Sequence, residues 1–141
     1  MTSPFPAPGN AAALERGSVI TPRFDENGLI AAVVQHAQTL EVLMVAFMDA
    51  EALKLSLQTA EAHFYSRSRA ALWRKGETSG QIQRIVEMRL DCDQDAVVLK
   101  VLPQGDGGVC HTGEMTCFYR LVEDGALVPA AGAASGGVVD A

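Results

Sequence analysis

Short apolar runs separated by brief polar breaks set the first limit on how this chain can fold. Leu29 to Ala37 and Glu41 to Met48 flank Gln38-Thr39, a break suited to a tight connection, so the spacing predicts a hairpin of two strands. His63-Phe-Tyr-Ser-Arg67, Ile82 to Leu90, Ala96 to Leu102 and Thr116 to Val122 carry the aromatic and β-branched residues of further strands. One stretch has helical character. Asp49 is a good N-cap, Glu51 falls in the first turn and Leu53 and Leu57 share a face, which predicts a helix over Ala50 to Thr59. Strands outnumber helices, and the expected class is α+β, with a mainly antiparallel, curved, barrel-like sheet and one principal helix.

With 141 residues, 48% of them apolar, the chain holds one domain's core and no second. No apolar run approaches the roughly 18 residues of a bilayer span, so no membrane partner is expected. The segment before Arg16 has neither a basic residue nor a sustained apolar block, unlike a secretory leader, and a cytoplasmic location is expected. Residues 1–23 and the Ala/Gly-rich tail 129–141 read as peripheral and flexible, leaving 24–128 as the working domain. A formal charge of −6 argues against a nucleic-acid polymer as partner. Positive charge is nonetheless concentrated: Arg67, Arg69, Arg74, Lys75, Arg84 and Arg89 are opposed in their stretch only by Glu77 and Glu87, a pattern suited to a small anionic ligand.

Three constellations carry chemistry. Asp91-Cys92-Asp93-Gln94-Asp95 places carboxylates at alternate positions; on extended backbone they share one face and Cys92 takes the other. Like charges so close need solvation or a hard cation such as Mg²⁺, and a solvated acidic turn is the simpler reading of the pattern alone. Cys110-His111-Thr-Gly-Glu-Met-Thr-Cys117 holds two thiols at a spacing unlike a zinc knuckle. Joined by Cys92, they would give Zn²⁺ three thiolates and leave a fourth position for water, whose pKa the ion lowers toward 7. Each cysteine taken singly is more simply a small buried hydrophobe, but three of them in a reducing compartment favour metal or catalysis over disulfides. His111 suits a ligand, a general base or a surface residue, whereas His36 and His63 sit in apolar contexts and read as packing residues. Finally, Ser66-Arg-Ser-Arg69 and Trp73-Arg-Lys-Gly-Glu-Thr-Ser-Gly80 offer cations, hydroxyls and flexible backbone N–H groups for phosphate, without a Walker pattern. A polar hairpin loop is the alternative for Lys75 to Gly80, and Trp73 fits either a purine stack or the core.

Trp73 to Gly80, Arg89-Leu-Asp-Cys-Asp-Gln-Asp95 and Cys110-His-Thr-Gly through Cys117-Phe-Tyr-Arg120 occur in order. With Glu41-Val-Leu-Met-Val-Ala-Phe-Met48 and Tyr65-Ser-Arg-Ser-Arg69 upstream, the chain resembles the phosphoribosyl-AMP cyclohydrolase family over about Leu29 to Arg120. The resemblance implies a hydrolase of L-histidine biosynthesis that opens the adenine ring of 1-(5-phosphoribosyl)-AMP at its N1–C6 bond. It also implies a homodimer with shared active sites. Zn²⁺ would be held by Cys92 of one chain with Cys110 and Cys117 of the other, and Mg²⁺ by Asp91, Asp93 and Asp95. As a mechanistic expectation for such a reaction, His111 would assist proton transfer, while Arg67, Arg69, Trp73, Arg74, Lys75, Thr78 and Ser79 would hold the substrate and its phosphates. The chain departs from the family pattern at His36, where an acidic residue is usual, and at Leu40, where a turn glycine is expected. Many relatives continue into a phosphoribosyl-ATP pyrophosphohydrolase domain; the tail after Arg120 leads to the expectation of a single-activity form. A zinc deaminase of nucleobases is a poorer match, since its H-x-E and P-C-x-x-C elements are missing. A zinc-stabilised nucleotide-binding module without catalysis is the non-enzymatic alternative, and it would close its metal with four protein ligands.

Overall fold

Two hairpins of alternating apolar residues dock side by side to make the central sheet. A computed structural model describes residues 3–130; the tail expected to be flexible lies, from residue 131 onward, outside the described residues. In chain order the elements are α1 (Ala11–Arg16), β1 (Ile30–His36), β2 (Val42–Met48), α2 (Ala50–Thr59), β3 (His63–Ser66), β4 (Ala71–Arg74), β5 (Gln83–Leu90), β6 (Ala96–Pro103), β7 (Arg120–Glu123) and β8 (Ala126–Pro129). The antiparallel pairs β1–β2 and β5–β6 meet through a parallel pairing of β1 with β6, giving the order β2-β1-β6-β5. Ile30, Ala32 and Val34 of β1 with Val97, Leu99 and Val101 of β6 bury one face. Met44 and Met48 of β2, paired with Val34 and Ile30, extend that face, and the buried Ala52 and Leu53 of α2 join the same core. The Asp49 carboxylate accepts the Ala52 N–H at 2.8 Å, the cap that starts α2 where the sequence places it.

The α+β class stands, but the sheet is mixed and open rather than barrel-like. Among the described residues β2 and β5 remain its edges, and the chain has two helices, the second being the short α1, none of whose residues is buried. The apolar runs predict the first hairpin and the two strands of the second, but the parallel docking of β1 on β6 depends on side chains far apart in sequence. The strand expected from Thr116 begins only at Arg120. Thr116 is instead fully buried, its hydroxyl donating to the Val42 carbonyl at 2.7 Å, so that this segment clasps the free edge of β2. At the β1–β2 turn Leu40 takes a left-handed φ of 67°, a conformation that costs a non-glycine residue about 1 kcal/mol. His36 offsets it: its Nδ1 accepts the N–H groups of Gln38 and Thr39 at 3.1 and 3.3 Å.

The β3–β4 hairpin carries the cationic segment and is hooked onto β5. Ala62 N–H donates to the Gln83 carbonyl at 3.0 Å and Ile85 N–H to that of Ala60 at 2.7 Å. Phe64 is fully buried, with its ring centroid 5.3 Å from that of Trp73, so the aromatic pair fixes β4 beneath the loop that follows. The other face of the central sheet presents Phe47 and Val45 of β2, Ala31 and Val33 of β1, and Val98 of β6; Val45 is 48% exposed. A parallel strand pair is normally covered on both faces. No helix among the described residues is long and apolar enough to cross a membrane.

Candidate active site

A close approach between two loops shapes a cleft. Gly76, at φ 87°, passes so near the following chain that a Cβ would lie 2.4 Å from the Gln81 carbonyl carbon and the Ile82 nitrogen. The Gln81 amide donates to the Asp106 carboxylate at 2.5 Å, and Asp106 also accepts the Gly108 N–H at 2.8 Å, latching the glycine-rich loop after β6 to the Lys75–Gly80 loop. Between them opens a cleft of about 470 Å³, lined by Arg69, Trp73, Arg74, Lys75, Thr78 and Ser79 on one side and Cys110 and His111 on the other. Lys75 spans it: its ammonium donates to the Val109 carbonyl at 2.5 Å and stands 6.0 Å from the Trp73 ring centre. Arg74 is engaged by Glu61 at 2.9 Å, which leaves Arg69 and Lys75 as the better placed cations for a phosphate. Of the residues expected to hold substrate, Arg67 alone stays out of the cleft, its guanidinium 4.1 Å from the Phe47 ring centre. Trp73 packs on Phe64 and also walls the cleft. Gly76→Ala is expected to cost about 1–3 kcal/mol in stability and to weaken substrate binding, read as a lower Tm together with a raised KM.

The thiols sit on a tight turn. Val109 and Cys110 N–H groups both donate to the Glu114 carbonyl, at 3.0 and 3.1 Å, and Gly113 N–H returns to the Cys110 carbonyl at 2.9 Å. Cys117 is set by its own N–H, which donates to the Leu43 carbonyl on β2 at 2.7 Å. Burial pushes the Cys110 thiol up, but hydrogen bonds from the Thr112 hydroxyl and N–H and from Cys117, with the Lys75 charge, outweigh it and hold Cys110 below the ordinary thiol range. Cys117 is an exposed residue whose sulfur is sheltered; that shelter and the neighbouring Cys110 charge push it up to about 11. The two neighbouring sulfurs are thus shifted in opposite senses. A soft cation would meet two sulfur donors side by side. His111 is exposed, its Nδ1 3.9 Å from the Cys110 sulfur.

The acidic motif differs from its expected extended form. Asp91 to Asp95 make the β5–β6 connection as a turn: the Asp91 carboxylate accepts the N–H groups of Asp95 and Ala96 at 2.9 and 3.2 Å, and Gln94 adopts φ 58°. Side-chain capping of a turn has won over strand alternation. Cys92 therefore joins the carboxylates instead of opposing them, with one ligand atom from each of Asp91, Cys92 and Asp93 within 4.8 Å of one another. Burial works against the Asp91 charge, yet the N–H groups of Asp95 and Ala96 hold its pKa below the usual range. Asp95, donating as the acid to Asp93 and Asp91, is pushed up to about 6. Clustered carboxyls whose mutual hydrogen bonding and repulsion raise one of them are a donor set suited to a hard cation. Arg23 supplies part of that charge, 3.3 Å from Asp93.

Among the described residues no cluster joins Cys92 to Cys110 and Cys117. Cys117 is tied to Leu43, which lies level with Leu99 and Lys100 of β6, whereas Cys92 precedes Ala96 at the strand's other end. At roughly 3.3 Å per residue this separates them by more than about 10 Å along the strand. The Gln81–Asp106 latch, the Val109 carbonyl and the buried Gln94 escape sequence reading, because each acts through a partner distant in the chain.

A cationic, hydroxyl-bearing cleft lined by Cys110, with the Cys117 thiol beside that sulfur, is suited in its chemistry to a small phosphorylated ligand and to a soft metal. The family model for phosphoribosyl-AMP cyclohydrolase matches residues 44–119. The chain is 62% identical over 128 residues to a phosphoribosyl-AMP cyclohydrolase of Caulobacter sp. (strain K31), covering 91% of this chain and 96% of the relative. It is 55% identical over 125 residues to one of Hyphomonas neptunium, with 89% and 94% coverage. A Brucella anthropi relative of the same description is 58% identical over 119 residues, 84% of each chain. The chain belongs to the phosphoribosyl-AMP cyclohydrolase family and is an enzyme of the hydrolase class.

Proposed function

We propose that this enzyme hydrolyses the N1–C6 bond of 1-(5-phosphoribosyl)-AMP in L-histidine biosynthesis, as a cytoplasmic homodimer that uses Zn²⁺ and Mg²⁺. The observation that carries this reading is the single cleft uniting the Lys75–Ser79 loop with the Cys110-His111 turn. Phosphate oxygens of the substrate meet Arg69, Lys75, Thr78 and Ser79, and the Trp73 ring offers a face for the base. Cys110 and Cys117 of one protomer with Cys92 of the other would hold Zn²⁺, which when bound supplies water acidified toward neutral pH. His111, exposed at the end of the cleft, takes up the proton of the adding water and returns one to N1 as the N1–C6 bond breaks. The water oxygen stays on C6 as an amide carbonyl, with the exocyclic nitrogen retained as its NH₂. Asp91, Asp93 and Asp95 would hold Mg²⁺, a charge available to the substrate's phosphate.

Two features support pairing of chains. The cysteine donors are separated along the sheet, so one chain by itself does not bring all three together. The β7–β8 hairpin is exposed along nearly its whole length, with Val122 at 75% and Leu127 at 56%, although an isolated two-stranded hairpin is marginal in water. A second copy covering it and the half-open sheet face would satisfy both. Ring opening of phosphoribosyl-AMP, followed by ultraviolet absorbance, is expected to stop on zinc chelation and resume on adding Zn²⁺. Metal-loaded protein with no turnover would return the chain to a binding-module reading.

A further inference from the structure

Gln94 lies between two of the aspartates yet faces the other way. It is 6% exposed, and at φ 58° its backbone turns the side chain inward while Asp91, Asp93 and Asp95 remain on the rim. There it grips the segment that precedes β1. Its Oε1 accepts the Thr21 N–H at 2.9 Å, and its Nε2 donates to the carbonyls of Leu14 and Val19 at 3.2 and 3.5 Å. Its own carbonyl accepts the Arg23 N–H at 2.7 Å. Four contacts from one residue thus tie the acidic turn to a strap of chain some seventy residues away, and the strap delivers Arg23 to within 3.3 Å of Asp93. A solvated acidic turn has no use for such a clasp. A turn that must hold three carboxylates at a spacing their repulsion opposes does need one, because ligand geometry at a metal is set by the groups that fix the ligands.

We propose that Gln94 and the strap it grips form a positioning device that sets the affinity of the acidic turn for a divalent cation. This rests on the reading of Asp91, Asp93 and Asp95 as a cation site. Gln94→Gly separates the clasp from the backbone, since glycine adopts the left-handed conformation without strain while losing three of the four contacts. Gln94→Asn tolerates that conformation too but is too short to reach Thr21, and it guards against a glycine variant that folds poorly. Titration of the full-length chain with Mn²⁺, read by electron paramagnetic resonance, is expected to show affinity at the turn reduced about ten-fold in both variants. The Asp95 and Ala96 amides should also exchange hydrogen faster. Asp93→Asn locates the Mn²⁺ signal at the turn. Wild-type protein whose Mn²⁺ uptake is indifferent to Asp93→Asn would overturn the cation reading and the clasp's role together. Mn²⁺ binding that needs Asp93 but is unaltered in both Gln94 variants would overturn the clasp alone.

Discussion

Replacing Cys110 or Cys117 by alanine is expected to remove zinc and to lower the rate of phosphoribosyl-AMP ring opening by roughly 10³-fold or more, since a hydrolysis near neutral pH then loses its source of hydroxide. The fold should survive. Cys117 is placed by its backbone N–H on Leu43 and by the buried Thr116 hydroxyl on Val42, neither of which involves the sulfur. Cys110 is held by its N–H on the Glu114 carbonyl. Circular dichroism and Tm of the metal-free wild type are therefore the proper reference, and each variant should match it closely. Cys110 is held below the ordinary thiol range and Cys117 is pushed above it by burial and by the neighbouring sulfur, so deleting either leaves one sulfur donor of the pair in that chain. Zinc content measured beside turnover decides the matter: a variant that has lost its zinc yet turns over at the wild-type rate would end the zinc mechanism.

How far the sequence reaches depends on whether a feature is local. Helix α2 is legible because the Asp49 cap and the Leu53 spacing act within a few residues, and the structure gives it the expected bounds. The Lys75–Ser79 segment is legible as a loop because Gly, Thr and Ser favour turns over a strand ladder. The parallel docking of β1 on β6 is not, since no local signal says which strand of one hairpin meets which strand of another. The acidic motif shows a subtler failure. Alternation sent Cys92 away from the aspartates, but the Asp91 side chain bonds to backbone N–H groups four and five residues on and bends the chain into a turn. Short polar side chains compete with the strand ladder in this way wherever a turn is available. Arg67 illustrates the same limit: near Arg69 in sequence, it goes instead to the Phe47 ring on β2.

Mixing two inactive variants is expected to restore activity. In one chain Cys92 stands more than about 10 Å along the strand from the Cys110–Cys117 pair, further than any single zinc ion can span with bonds of about 2.3 Å. If a two-fold dimer brings the acidic turn of each protomer to the thiol turn of its partner, Cys92→Ala and Cys110→Ala homodimers each lack a donor at both sites. A mixed dimer differs. One site receives Cys92 from the Cys110→Ala chain and the thiol pair from the Cys92→Ala chain and is intact; the other lacks both donors. Random reassortment of equal amounts makes about half the dimers mixed, each with one working site of two, so about a quarter of the wild-type rate should return. Co-expression of the two chains with different affinity tags, and purification through both, should raise that to about half per dimer. The size of the gain separates this arrangement from simple zinc carry-over, which would rescue neither parent nor mixture beyond its own baseline. Mixed dimers recovered through both tags but no more active than their parents would mean that the three cysteines do not meet across the subunit boundary.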